Sequence, residues 1–221
     1  MTLDALQAPL TPQQTRLFRL LSEDENPYVR KNLAMNPACP ADILDVLADD
    51  ANEYVRYEVA KHLSTPAPAL ARLARSDNDF VRGAVANNAN TSSRTLHSLC
   101  ADANFYVRLG VAKHPDTSPA VLSRLATDAE VGVRAAVAAH VRTTPSVLAR
   151  LSQDPAVKVR RTVALNRSTF LSTLDALAQD RDSSVRGSVA ANPSTRRETQ
   201  QLLAVDADAR VRSQVALHVG T

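Results

Sequence analysis

The stretch "ANEYVRYEVAKH" at residues 51–62 returns almost unchanged as "ANFYVRLGVAKH" at residues 103–114. Two near-copies in one chain call first for a test of internal repetition, because a fixed period decides the fold before any local propensity does. The Val-Arg pair supplies the phase. It stands at Val29-Arg30, Val55-Arg56, Val81-Arg82, Val107-Arg108, Val133-Arg134, Val159-Arg160, Val185-Arg186 and Val211-Arg212, every step being 26 residues with no insertion or deletion. A Leu column (Leu21, Leu47, Leu73, Leu99, Leu125, Leu151, Leu177, Leu203) keeps the same phase. So does the Leu/Val column from Leu33 and Val59 to Val215, with an Ala after each member.

Within one copy, Val55 and Val59 are four apart and share a helical face. Asp50 reads as the N-cap of that helix and His62 lies at its end. Thr65-Pro66 then reads as an N-cap followed by a proline in the first turn. Leu70 and Leu73, three apart, form the apolar face of a second, shorter helix. Each copy is therefore two short helices, too small to bury a core alone but able to share one when stacked. The fold expected is all-α, an α-solenoid of about eight two-helix repeats. Residues 1–20 would supply an N-terminal capping helix, through "TPQQTRLFRLL", and residues 21–221 a single elongated array.

Composition agrees. Hydrophobic residues make up 44% of the chain but aromatics only 4%, with no Trp, so the core must be Leu, Val and Ala. No apolar run approaches the roughly 18 residues of a membrane span. The start, "MTLDALQAPLTPQQ", lacks a basic segment followed by an apolar one, and two cysteines make no disulfide framework. A cytoplasmic protein without membrane contact is expected.

The pattern D-x-x-x-x-V-R-x-x-V-A-x-N/H-x-x-T-x-x-x-x-L-x-x-L-A, repeated from residue 21 onward, resembles the leucine-rich repeat variant family. That resemblance implies an α-helix paired with a 3₁₀-helix in each repeat, wound as a right-handed superhelix, with the Thr-Pro helix as the 3₁₀ element. A described member carries an iron–sulfur cluster on an N-terminal cysteine-rich segment. Here Cys39 and Cys100 lie inside the array and no third cysteine exists. A cluster needs about four thiolates, so no cofactor is carried over.

Three polar columns could carry function. Asp24, Asp50, Asp102, Asp128, Asp154, Asp180 and Asp206 each lie six residues before the column arginine (Arg30, Arg56, Arg108, Arg134, Arg160, Arg186, Arg212). Before Arg82 the position holds Ser76. Eight arginines on one face could bind phosphates. The competing reading is a structural ladder, similar to that of HEAT-type repeats, in which each Arg reaches an Asp of an adjacent copy. Near-equal totals of 26 basic and 23 acidic residues fit the ladder.

A second column holds Asn36, His62, Asn88, His114, His140, Asn166, Asn192 and His218. Copies about 9–10 Å apart cannot bring two of these histidines to one zinc, so the reading is C-terminal capping, with Asn in a left-handed turn and His on free carbonyls. No metal site is expected. The third column, just before each Val, is aromatic in the first half (Tyr28, Tyr54, Phe80, Tyr106) and then Gly132, Lys158, Ser184 and Arg210. With Tyr57 alongside, it would form a stripe outside the core and anchor a partner, or else it packs between copies.

These features suggest a non-catalytic scaffold that binds a protein or peptide on its concave face. There is no nucleophile–base pair, and five glycines leave no phosphate loop. The alternative is nucleic-acid binding, since "VRYEVAKHL" is similar to helices of HEAT-like alkylpurine DNA glycosylases. Asp50, Glu53, Tyr54 and Tyr57 would be the carboxylate-and-aromatic set that this resemblance implies. From residue 111 on there are 15 basic and 10 acidic residues, against 11 and 13 before, so the basic half lacks the aromatics.

Overall fold

A computed structural model of the chain describes residues 11–218, apart from the side chain of His218. Sixteen α-helices and no strand occur among the described residues. The chain divides into two compact units, Met1–Asp116 and Thr117–Thr221. The first holds α1 (Pro12–Ser22), α2 (Pro27–Met35), α3 (Ala41–Leu47), α4 (Glu53–Lys61), α5 (Ala67–Leu73), α6 (Asp79–Asn87), α7 (Ser93–Leu99) and α8 (Phe105–Lys113). The second holds α9 (Pro119–Leu125), α10 (Val131–Ala139), α11 (Pro145–Leu151), α12 (Val157–Leu165), α13 (Leu171–Leu177), α14 (Ser183–Ala190), α15 (Arg197–Ala204) and α16 (Ala209–His218).

In both units the longer helices pack on the longer helices of neighbouring copies: α2 on α4, α4 on α6 and α6 on α8, then α10 on α12, α12 on α14 and α14 on α16. The repeated apolar columns meet there. Val55, Val59, Val81, Val85, Val133, Val137, Val159 and Val163 are fully buried, as are Leu70, Leu148 and Leu174 of the shorter helices. Burying one such side chain is worth about 1.5–3 kcal/mol, so many small contributions replace the missing aromatic core. The shorter element is α-helical, against the 3₁₀ turn that the family resemblance implied. Bonds such as Ala48 N–H to Leu44 O (2.9 Å) and Ala126 N–H to Leu122 O (2.9 Å) close four-residue turns.

Of the expected N-terminal cap, residues 1–10 lie outside the described residues. Helix α1 opens with a capping box: Gln14 N–H donates to Thr11 Oγ1 (3.2 Å) and Thr11 N–H to Gln14 Oε1 (2.8 Å). It packs on α2 and α3 and extends to Ser22, leaving Leu17 and Leu20 exposed.

The caps differ from their sequence reading. The longer helix starts two residues after Asp50, at N-cap Asn52, whose Oδ1 accepts from Tyr54 N–H (2.9 Å), while Asp50 Oδ1 accepts from Asn52 N–H (2.8 Å). The Thr column does not cap the second helix either. Pro66 is the N-cap there, and the buried Thr65 hydroxyl instead donates backward to Val59 O (2.5 Å). Thr91, Thr143, Thr169 and Thr195 do the same to Val85, Val137, Val163 and Val189. Such a hydroxyl satisfies a carbonyl in the last turn of the longer helix, where intrahelical donors run out.

Candidate functional site

Two of the three polar columns join neighbouring copies within each unit. Arg30 donates through Nε and Nη2 to both oxygens of Asp50 (2.5 and 3.0 Å), twenty residues on. Its Nη1 donates to Asp24 O (2.5 Å) and Glu25 O (3.1 Å) of its own copy. The same fork joins Arg82 to Asp102, Arg134 to Asp154, Arg160 to Asp180 and Arg186 to Asp206, with Nε–Oδ2 distances of 2.6–2.7 Å. Arg108 and Arg212 grip their own copies in the same way, through Nη1 to Asp102 O and Asp206 O. Asp128 gives its backbone oxygen to Arg134 Nη1 (2.7 Å). Burial opposes ionisation of Asp50, but the Arg30 hydrogen bond, the Asn52 N–H and the charges of Arg30 and Arg56 hold its carboxyl below its ordinary value. Asp102, Asp154, Asp180 and Asp206 are lowered in the same way. Arg30, Arg82, Arg134, Arg160 and Arg186 spend their forked donors on protein carboxylates, which leaves them poor phosphate receptors.

The Asn/His column makes a second rail. Asn88 Nδ2 donates to Ala60 O (2.8 Å) and His62 O (3.0 Å) of the preceding copy, and Asn166 and Asn192 reach Ala138 O and Ala164 O likewise. His62 Nδ1 accepts from Ser64 N–H (3.0 Å), so its proton sits on Nε2, which donates to Asn36 O (3.0 Å). The expected left-handed Asn turn is absent: Asn36, Asn88 and Asn166 are extended, with φ between −71° and −78°. The side chain itself takes up the free carbonyls that a left-handed residue would otherwise cover.

The aromatic column faces solvent. Tyr28, Tyr54, Phe80 and Tyr106 are 72%, 63%, 74% and 65% exposed. Each is the second residue of its helix, and its N–H is held by an N-cap asparagine, Asn26, Asn52, Asn78 or Asn104. With Val55 and Val59 turned inward, the residue one place before Val55 is rotated roughly 100° away from the core. Tyr57, Phe80 and Tyr106 come together around a groove of about 680 Å³ over α4, α6 and α8. The small Gly83 and Ala84 line it too, and its polar lining includes Lys61, Asp79, Asn87 and Asn104. Lys61 Nζ lies 4.9 Å from the Tyr57 ring centre and 2.9 Å from Glu58 Oε2, and the Phe105 and Tyr106 rings sit 3.9 Å apart. Tyr28 and Tyr54 are exposed on the same column but do not line this groove.

The glycosylase-like set is not assembled. Asp50 is turned into its Arg30 pair and lines a different depression, of about 410 Å³, from the groove that holds Tyr57. Among the described residues no three His, Cys, Asp or Glu side chains converge as metal ligands. Burial first, with Asp42 adding, pushes the Cys39 thiol up to about 12, far from a thiolate nucleophile. No described helix is long and apolar enough to cross a membrane. Sequence reading missed the asparagine N-cap column, although its signal was present: Asn stands two places before the aromatic in all four aromatic copies.

Residues 107–130 match the model of the leucine-rich repeat variant family. A solved structure described as a leucine-rich repeat variant with a novel repetitive protein structural motif is 27% identical, with a TM-score of 0.64 over 96% of this chain and 87% of that one. The resemblance read from the repeat pattern is thus borne out, and with it the helical-repeat fold. An Escherichia coli protein, YIBA, is 17% identical, with a TM-score of 0.48 over 97% of this chain and 83% of that one. A designed armadillo repeat protein solved with a (KR)4 peptide is 19% identical, with a TM-score of 0.30 over 96% and 94% of the two chains. No curated protein sequence matches the chain.

Proposed function

We propose that the chain is a non-catalytic scaffold that binds a protein or peptide through the aromatic groove of its first unit. The observation that carries this reading is the exposure of four in-phase aromatics, two of which, Phe80 and Tyr106, line one groove together with Tyr57. Rings that leave most of their area in solvent add little to the fold they stand on, and such area is what binding hot spots use. Extended stretches with an apolar or aromatic side chain every few residues suit such a groove. The two free, buried thiols of Cys39 and Cys100 fit a reducing, cytoplasmic setting.

The test is affinity capture with the wild-type chain beside a Tyr57/Phe80/Tyr106→Ala variant, followed by titration of the captured protein. Loss of capture by a variant that melts like wild type is the expected result. Equal capture by both sinks the reading. A parallel titration with labelled single- and double-stranded DNA and RNA tests the nucleic-acid alternative, whose mark is affinity that falls steeply with salt.

A further inference from the structure

The Arg/Asp ladder has one break, and the break has a definite chemistry. Where other copies carry the receiving Asp, the third carries Ser76, so Arg56 has no carboxylate partner among the described residues. Its guanidinium is nevertheless held as on the complete rungs. Nη1 donates to Asp50 O (2.6 Å) and Ala51 O (3.0 Å), matching 2.5 and 3.1 Å at Arg30 and 2.8 and 3.1 Å at Arg82. On the complete rungs the same Nη1 grip goes with Nε and Nη2 turned to the receiving residue twenty places on, the position that Ser76 holds for Arg56. The Ser76 side chain occupies the first part of the Asp position, since its Oγ accepts from Asn78 N–H (3.3 Å) as Asp102 Oδ1 accepts from Asn104 N–H (2.9 Å). It is too short to place an oxygen pair on the fork.

A depression of about 410 Å³ opens here, lined among others by Arg56, Arg72, Arg75 and Ser76. Its carboxylates are mostly committed: Asp50 to Arg30, and Asp49 to Arg72 (3.1 Å). Asp77 lines the same depression, among the guanidinium-bearing Arg56, Arg72 and Arg75.

We infer that Arg56 is the receptor of a carboxylate-binding site, taking an incoming carboxylate bidentately through Nε and Nη2 at the rung where the chain supplies Ser76. A planar two-oxygen acceptor is what this fork binds on other rungs, at Asp50, Asp102, Asp154, Asp180 and Asp206. The carboxylate can belong to a small free acid or to an acidic side chain of a bound peptide. The chemistry is the same and the probes separate the two. The site lies apart from the aromatic groove and does not depend on it.

The experiment follows the Arg56 Nε–H resonance of the isotope-labelled full chain, identified by its loss in Arg56→Lys, while acetate replaces chloride at constant ionic strength. A saturable acetate-specific shift in wild type is expected, together with its loss in Ser76→Asp, where the chain fills the fork itself. Ser76→Asp is also expected to melt roughly 2–4 °C higher in chloride. No saturable shift in wild type, or the same shift in Ser76→Asp, overturns the proposal. An acetyl-Gly-Glu-Gly-amide titration then assigns the source: binding tighter than acetate points to a peptide side chain, and equal binding to a free acid.

Discussion

The two units are built on the same frame and present different surfaces. In the first, the longer helices α2, α4, α6 and α8 begin with Asn26, Asn52, Asn78 and Asn104, each capping a backbone N–H and each followed two places later by an exposed aromatic. In the second, α10 and α12 begin at Glu130 and Ala156 with no side-chain cap, and the aromatic positions become Gly132, Lys158, Ser184 and Arg210. The matching depression over α12, α14 and α16 shrinks to about 330 Å³ and is lined by Arg161 and Arg210. The ladder runs the other way. Its Arg–Asp forks are unbroken from Arg134 to Asp206, whereas the first unit has the Ser76 gap. The lesson is that caps, rails and faces vary independently, so a unit can lose a rung or a cap and keep its backbone.

The largest effect should come from acid. Each paired Asp has a folded pKa below its unfolded value of about 3.9, so its stabilisation is complete above that value and is lost as pH falls through the folded one. With three complete forks in the second unit and two in the first, hydrogen exchange on acidification should accelerate more steeply across Thr117–Thr221. Equal acceleration breaks the comparison. Among single substitutions, Asp154→Ala strands a mostly buried guanidinium and should cost about 1–3 kcal/mol in thermal or denaturant unfolding. Arg56→Met should cost less, because it removes only the donor to two backbone carbonyls, Asp50 O and Ala51 O, that water can serve.

The caps give a reciprocal pair. Asn52→Ala should lose about 1 kcal/mol, and Ala156→Asn should gain a similar amount, since Ala156 already has the capping backbone (φ −81°, ψ 121°) that Asn52 uses (φ −85°, ψ 124°). Chemical denaturation of the two variants checks the sign. The smallest stability change belongs to the groove. A Cβ on Gly83 would meet only Val107 Cγ2, at 4.0 Å, so Gly83→Met should leave the melting temperature within a few degrees while filling the groove, and with it abolish the capture proposed for Tyr57, Phe80 and Tyr106.

What could be read in advance followed from periodicity. Columns such as Val55/Val59 and Leu70/Leu73 fixed the helices because burial demands repeat identically in every copy. The ladder partner of Arg30 could be anticipated as an Asp of an adjacent copy, but not the Nη1 bonds to Asp24 O and Glu25 O, since backbone acceptors leave no residue signature. The same blindness explains Thr65. A hydroxyl both donates and accepts, and its spacing before Pro66 suited a forward cap until the geometry placed Val59 O behind it. The aromatic column was visible as a column. Its exposure was not, because packing between copies and projection into solvent require the same residue spacing.

The rails have a consequence for how such a chain can change length. One added residue between Asp50 and Arg56 would pull Arg56 Nη1 off Asp50 O and shift Asn52 from the helix start. Everything after it would then slip out of step with the copy before. Gains and losses of whole 26-residue blocks keep the copies in step, so that each Arg again meets the receiving position of the next copy and the Asn or His column again meets the carbonyls of the preceding one. Growth by whole blocks leaves the outward-facing positions free to diverge one at a time, and Tyr57 against Leu109 records that freedom in two copies that otherwise read almost alike.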